Sequence, residues 1–102
     1  MGTAGDDVIC GTPGNDRMAG MGGNDLILGF GGDDQISGDG GNDTIFGGLG
    51  NDSLTGGPGD DFSSAGPGND RISAETGERI DVGAGTDQCS VGTVSTCPPR
   101  LS

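Results

Sequence analysis

The sequence contains no histidine, lysine, tryptophan or tyrosine, and phenylalanine occurs only three times in 102 residues. Without histidine or lysine, nucleophilic catalysis lacks its usual general base. With so few aromatic side chains, the chain has little from which to build a conventional hydrophobic core. These absences argue against a self-sufficient globular enzyme. We expect the protein to have no catalytic residues.

Positive charge is also scarce. Four arginines face 16 acidic residues, which gives a formal net charge of −12. Such a chain is unsuited to nucleic-acid backbones and anionic membranes, and it attracts cations. No apolar run approaches the length of about 18 residues that a transmembrane helix requires. The expected partners are therefore cations, with no nucleic acid and no membrane insertion.

Glycine and proline are abundant, and they follow a period. Together they make up 25 + 5 = 30 residues, a level that indicates disorder in a chain without a repeat. Here a glycine recurs every nine residues, at Gly5, Gly14, Gly23, Gly32, Gly41, Gly50, Gly59, Gly68 and Gly77. An aspartate follows two residues later, at Asp7, Asp16, Asp25, Asp34, Asp43, Asp52, Asp61 and Asp70. Two residues further on stand Ile9, Met18, Ile27, Ile36, Ile45, Leu54, Ser63 and Ile72.

The period indicates how the chain coils. Six glycine-rich residues form a turn, and the next three form a short strand with one inward side chain. Two units then complete one coil, so turns 18 residues apart stack on the same edge of the molecule. The first edge would stack Asp7, Asp25, Asp43 and Asp61, and the second edge Asp16, Asp34, Asp52 and Asp70.

The unit reads Gly-Gly-x-Gly-x-Asp-x-apolar-x, with positions numbered 1 to 9, and is clearest at Gly22-Gly23-Asn24-Asp25 and Gly40-Gly41-Asn42-Asp43. It resembles the repeats-in-toxin (RTX) family of calcium-binding nonapeptide repeats over roughly residues 2 to 91. Thr12, Met21, Phe30 and Asp39 depart from the consensus glycine at position 2. The resemblance implies an all-β fold, a right-handed parallel β-roll with two short-stranded sheets and calcium between stacked turns.

Stacked carboxylates repel one another unless a cation lies between them. The resemblance implies Ca²⁺ held by the eight turn aspartates, with Asp87 of the closing coil as a ninth candidate. Further ligands would be backbone carbonyls of turn residues such as Gly22, Gly23, Gly31, Gly32, Gly40 and Gly41. Three gaps on each edge predict about six internal ions. Few side chains point inward, and their burial cannot offset the conformational entropy that is lost when the chain folds. We therefore expect the metal to supply folding free energy.

The register breaks once, after Gly77, where a unit is one residue short and the missing residue is its aspartate. It resumes at Gly85-Thr86-Asp87, with Cys89 at the inward position. We therefore predict a nonapeptide-repeat β-roll over residues 1–80 and a degenerate closing coil with a C-terminal cap or tail over 81–102. Cys10, Cys89 and Cys97 have no metal-type spacing, and their pairing stays open.

The two sheets are predicted to differ on their outer faces. Outward positions of one sheet are mostly apolar and form a candidate partner-binding face at Val8, Leu26, Leu28, Phe46 and Phe62. Two interpretations follow. The first is a calcium-dependent module that stabilises a secreted protein or aids its export, with the apolar face against a parent domain. The second is a free-standing secreted calcium-binding protein whose apolar face binds a partner or itself. Arg17 and Arg71 on the polar sheet disfavour a third, an ice-binding solenoid.

Overall fold

A computed structural model describes residues 3, 5–57, 59, 61–74, 79–81 and 88–91. These residues form ten short strands and no helix, so none of them belongs to a helix that could cross a membrane. The strands are β1 (Val8–Cys10), β2 (Arg17–Ala19), β3 (Leu26–Leu28), β4 (Gln35–Ser37), β5 (Thr44–Phe46), β6 (Ser53–Thr55), β7 (Phe62–Ser64), β8 (Arg71–Ala74), β9 (Arg79–Asp81) and β10 (Gln88–Val91).

The strands alternate between two parallel sheets. One sheet has the order β1-β3-β5-β7-β9, and the other has β2-β4-β6-β8-β10. Val8 lies opposite Leu26, so paired residues are 26 − 8 = 18 apart, which is two nonapeptide units. The predicted all-β parallel β-roll with two short-stranded sheets is therefore confirmed.

The register break after Gly77 is absorbed between coils. Phe62 lies opposite Arg79 and Arg71 opposite Gln88, so both final pairs are separated by 17 residues, one fewer than the pairs before them. Strands β9 and β10 thus continue both sheets beyond the missing residue. The boundary at residue 80 stays a prediction, and residues 92–102 lie outside the described part of the chain.

Each three-residue strand points only its middle side chain into the roll, because successive side chains alternate between the two faces of a sheet. The resulting core is a double column of aliphatic side chains. It contains Ile9, Met18, Ile27, Ile36, Ile45, Leu54, Ile72 and Ile80, with Ala65 from a turn. Ser63 takes the inward position of β7 and is also buried. Each strand contributes only one side chain to the core, so the turns must supply much of the stability.

The turns require glycine where coils approach each other. Gly41 has a φ of 93°, and a Cβ on it would collide with the carbonyl of Gly23 in the preceding coil. Position 2 also adopts the left-handed region, yet there the chain places Met21, Phe30 and Asp39, with φ between 62° and 70°. A side chain in this region is strained by about 1–2 kcal/mol per residue.

We expect Phe30→Gly to raise the free energy of unfolding by about 1 kcal/mol at saturating calcium, because it relieves strain at a residue that is 51% exposed. Denaturant unfolding measures the change. Phe46→Gly is the control, since Phe46 lies in β5 and packs edge-to-face on Phe62. That variant should lose stability. Equal losses in both variants would contradict the assignment of strain to Phe30.

Candidate metal centre

The turn aspartates form two buried columns, one on each edge. Six of them, at 25, 34, 43, 52, 61 and 70, have only 1–3% of their surface exposed. One carboxylate oxygen of each, Oδ1, accepts the backbone N–H of the aspartate 18 residues earlier. Asp25 Oδ1 accepts from Asp7 at 2.8 Å, and Asp52 Oδ1 accepts from Asp34 at 2.9 Å. This ladder explains why the aspartate recurs at a fixed place in every unit.

In four of these aspartates, the other carboxylate oxygen has no donor. Oδ2 of Asp25, Asp34, Asp43 and Asp52 is buried without any hydrogen-bond partner. Leaving a buried charged acceptor unsatisfied is costly, more so than for a neutral group. Buried acceptors that repeatedly lack a donor in a native protein are explained by an ion that binds to them.

Each of these Oδ2 atoms lies against the position-1 glycine of its own unit, as does a carbonyl oxygen of the next coil. A Cβ built on Gly38 would stand 2.6 Å from Asp43 Oδ2 and 2.8 Å from the carbonyl oxygen of Gly56 in the next coil. Gly47 has the same arrangement with Asp52 Oδ2 and the carbonyl of Ala65, at 2.8 and 2.9 Å. The same side of the turn thus presents a carboxylate and a carbonyl oxygen, both of them groups that bind cations.

The electrostatics point the same way. Desolvation raises the pKa of Asp43 to about 6 and that of Asp52 to about 7, against the lowering effect of their backbone hydrogen bonds. Repulsion from the carboxylates one coil before and after adds to the rise, from Asp25 and Asp61 for Asp43. Burial also raises the pKa of Asp34. The fold thus holds its carboxylates in places where their charge is unfavourable unless it is compensated.

The donor set fits a hard divalent cation. Carboxylate and carbonyl oxygens are the ligands that Ca²⁺ prefers, in flexible geometry with six to eight ligands. Within the described residues, no three His, Cys, Asp or Glu side chains converge on one point. A cation here would therefore be held jointly by carboxylates of successive coils, such as Asp25 and Asp43, and by turn carbonyls, where it would neutralise charge and tie the coils together.

Comparison with known families agrees with this chemistry. The model of the RTX calcium-binding nonapeptide repeat matches the chain in four copies, over residues 1–27, 11–45, 37–72 and 55–89. The chain belongs to this family. The RTX resemblance is thus confirmed, and the chain is an RTX calcium-binding repeat folded as a β-roll. No curated protein gives a significant match to the sequence.

The carbonyls of the RTX turns lie in the spaces between coils. Those of Gly23 and Gly32, both named from the sequence, approach the position-4 glycine of the next coil. Gly41 does the same, whereas Gly22, Gly31 and Gly40 are half-buried at position 3 of the same turns. The position-1 carbonyls beside Oδ2, such as those of Gly38 and Gly56, were not predicted. Their signal in the sequence is the small residue that opens every unit.

Two of the nine predicted aspartates differ from the rest, and one cannot be placed. Asp7 and Asp16 begin the two columns and are only half-buried. Their carboxylates accept hydrogen bonds from Thr3 and Thr12 of their own turns. Asp87 lies outside the described residues. The assignment of all nine as ligands stays a prediction.

A second ladder runs along the exposed rim of the RTX turns, at position 5. Here the side-chain oxygen accepts the backbone N–H of the residue 18 positions later, the reverse of the aspartate ladder. Asn24 Oδ1 accepts from Asn42 at 2.8 Å, and Asp33 Oδ1 accepts from Asn51 at 2.8 Å. Asparagine and aspartate alternate in this role because only the acceptor is needed. The sequence pattern alone does not indicate this ladder.

The five residues of the candidate partner-binding face lie on one sheet, and their role in binding stays a prediction. Register places Val8, Leu26 and Phe62 in one outward column of the odd-numbered strands, and Leu28 and Phe46 in the other. Val8 is 69% and Phe46 38% exposed, whereas the other three are half-buried. The rings of Phe46 and Phe62 meet edge-to-face with centroids 6.1 Å apart. The face is apolar, but part of it is covered by its own side chains.

A second apolar surface lies on the second edge and was not predicted. A groove of about 650 Å³ runs across the turns that precede β2, β4, β6 and β8. Its lining includes Pro13, Phe30, Leu49 and Pro67. The signal in the sequence is an apolar residue at position 2 or 3 of every second unit.

Proposed function

We propose that this RTX β-roll is a module that folds when about six Ca²⁺ bind between its stacked turns. The observation that supports it best is the set of buried Oδ2 atoms in Asp25, Asp34, Asp43 and Asp52, each without a donor. Three gaps on each edge between stacked aspartates account for six ions. Their combined charge would balance the formal −12 of the chain.

Calcium would decide whether the chain is folded. The inward core is narrow, and the carboxylates repel one another in its absence, so metal binding must supply folding free energy. Calcium modules of extracellular proteins typically bind at about 10⁻⁴–10⁻³ M, above the free calcium of a cell interior. The module would thus stay unfolded before export and fold outside, which stabilises a larger secreted protein or aids its export.

The role we propose is structural, not catalytic. Each buried aspartate already has one oxygen engaged by the ladder, as for Asp43 Oδ1 with the N–H of Asp25 at 2.9 Å. The other oxygen would be engaged by calcium. The sequence has no histidine or lysine, so these engaged carboxylates have no such partner for general acid–base catalysis.

A calcium titration followed by far-UV circular dichroism and calorimetry tests the proposal. In chelator the chain should lack β signal, and the signal should appear cooperatively as about six ions bind. Magnesium at equal concentration is the control, and it should act weakly because it demands octahedral geometry and dehydrates reluctantly. Equal β signal in chelator and in calcium would refute calcium-dependent folding.

The apolar outer face supports a second candidate function, that of a free-standing secreted calcium-binding protein that associates with a second copy. Val8, Leu28 and Phe46 lie on one face, whereas the opposite sheet presents Arg17 and Ser53. Calcium would favour this contact by neutralising the charge that otherwise keeps copies apart.

Sedimentation in calcium tests this second function. The chain should form a dimer, and Leu28→Ser with Phe46→Ser should abolish it while the calcium midpoint shifts by less than about twofold, because neither residue lies in a turn. Thr55→Ser on the opposite sheet is the control. A monomer at all concentrations, or a dimer that persists in the double variant, would refute self-association through this face.

A further inference from the structure

The first turn on each edge differs from every later turn. Thr3 donates from its N–H to Asp7 Oδ2 at 2.6 Å, and its hydroxyl lies 3.1 and 3.0 Å from Asp7 Oδ1 and Oδ2. Thr12 repeats the arrangement on the second edge, with its N–H 2.7 Å from Asp16 Oδ2. Its hydroxyl lies 3.0 and 3.1 Å from the two oxygens of Asp16.

The threonine oxygen also closes the turn on itself. Gly5 N–H donates to Thr3 Oγ1 at 3.1 Å, and Gly14 N–H donates to Thr12 Oγ1 at 3.2 Å. Each hydroxyl therefore accepts from the turn backbone and donates its proton to the carboxylate, which uses its single donor and one of its two acceptor positions. Two turns nine residues apart repeat these contacts to within about 0.1 Å, so the arrangement is a property of the sequence in the first coil.

Later turns cannot make this contact, because position 2 has a different residue and conformation. Met21, Phe30 and Asp39 adopt positive φ there, whereas Thr12 does not. The N–H of Met21 is directed to Asp39 Oδ2 of the next coil, at 3.2 Å, and not to Asp25 of its own turn. Position 2 in the described turns reads Thr3, Thr12, Met21, Phe30, Asp39, Gly48, Gly57 and Gly66.

The Oδ2 atoms that lack a donor first occur in the turns that follow those of the two threonines. Oδ2 of Asp25 and Asp34, one coil further on, is buried without a donor, whereas Oδ2 of Asp7 and Asp16 accepts the threonine N–H. A Cβ on Gly11 would still meet Asp16 Oδ2 and the carbonyl of Gly29, as in the inner turns. The surroundings of Oδ2 are therefore similar on the glycine side, and the difference is the N–H that Thr12 donates.

We infer that Thr3 and Thr12 cap the carboxylates of Asp7 and Asp16: they satisfy with protein donors the oxygens that the later turns leave to a cation. The coil that contains these two turns therefore depends on calcium less than the coils that follow it. The inference rests on the proposed function in one respect only, that the later turns bind calcium.

Hydrogen exchange of the full chain at saturating calcium tests the caps, with Thr3→Val and Thr12→Val combined. Valine keeps the shape of threonine and removes the hydroxyl. Amides of Val8–Cys10 and Arg17–Ala19 should exchange at least about tenfold faster, since hydrogen bonds to charged groups are lost. Those of Thr44–Phe46 should be unchanged. Thr55→Val is the matched control, and the two Thr→Ser variants should keep wild-type rates because serine retains the hydroxyl.

Unchanged exchange at Val8–Cys10 and Arg17–Ala19 in a folded double variant would overturn the caps. If the double variant does not fold, Thr12→Val alone should accelerate exchange in Arg17–Ala19 more than in Val8–Cys10, and equal acceleration would overturn the assignment. Failure of the proposed function looks different, because the wild-type chain would then show no calcium-dependent circular dichroism while these exchange differences could still be measured.

Discussion

Replacing Asp34 with Asn should weaken calcium binding by at least about tenfold, whereas Asp33→Asn, at the adjacent residue, should change it by less than about twofold. Both substitutions remove one negative charge from the same turn. Asp34 is buried with an Oδ2 that lacks a donor, and calcium affinity depends on the charged ligands of a site. Asp33 is exposed, and its acceptor role toward the Asn51 N–H passes unchanged to an amide oxygen.

Without calcium, Asp34→Asn should have the opposite effect and favour the folded state. In Asp34→Asn, the amide oxygen would still accept the Asp16 N–H that Asp34 Oδ1 now accepts. The variant would remove the charge whose burial raises the pKa of Asp34. In chelator with a stabilising osmolyte, Asp34→Asn should therefore form more β structure than wild type. Less β structure than wild type in both conditions would show that Asp34 has only a structural role.

Gly38→Ala should destabilise the calcium-bound roll by about 2 kcal/mol and raise its calcium midpoint, because the added methyl group collides with two oxygens that lie against Gly38. The added Cβ would stand 2.6 Å from Asp43 Oδ2 and 2.8 Å from the Gly56 carbonyl, too close for either to remain in place. Denaturant unfolding at fixed calcium and a calcium titration measure the two effects.

Gly40→Ala is the matched control, since it adds the same methyl group to the same turn. A Cβ on Gly40 has no atom within 4 Å, and its φ is not in the left-handed region. This variant should be neutral or more stable by about 0.4–1 kcal/mol, because alanine restricts the unfolded chain. Among the units that contain a turn aspartate from Asp7 to Asp70, alanine stands at position 1 once, at Ala65. Similar losses in the two variants would contradict a specific role for the space beside Gly38.

Much of the fold followed from the nine-residue period. Because each unit has one aspartate and one inward residue, the spacing alone predicted that Asp25 stacks on Asp43 and Ile27 pairs with Ile45, as the structure shows. The sheet order, the alternation of burial and the shared apolar face of Leu28 and Phe46 come from the same periodicity. The missing residue after Gly77 was also visible, although not that both final strand pairs shift by one.

Details that depend on atoms within a turn could not be predicted. The sequence does not reveal that Asp43 uses one oxygen for the preceding coil and leaves the other against Gly38 without a donor, since both oxygens are chemically equal. Nor does it indicate that Asn24 bonds toward the following coil while Asp25 bonds toward the preceding one. The threonine caps depend on φ at position 2, which composition alone does not determine.

The most direct test of the account is an anomalous-difference map from crystals grown in calcium. The account predicts peaks between stacked turns on both edges, beside the Oδ2 atoms of Asp25, Asp34, Asp43 and Asp52. A coiled backbone with no density at those positions would contradict it, because the buried carboxylates would then be stable without the cation that their arrangement requires.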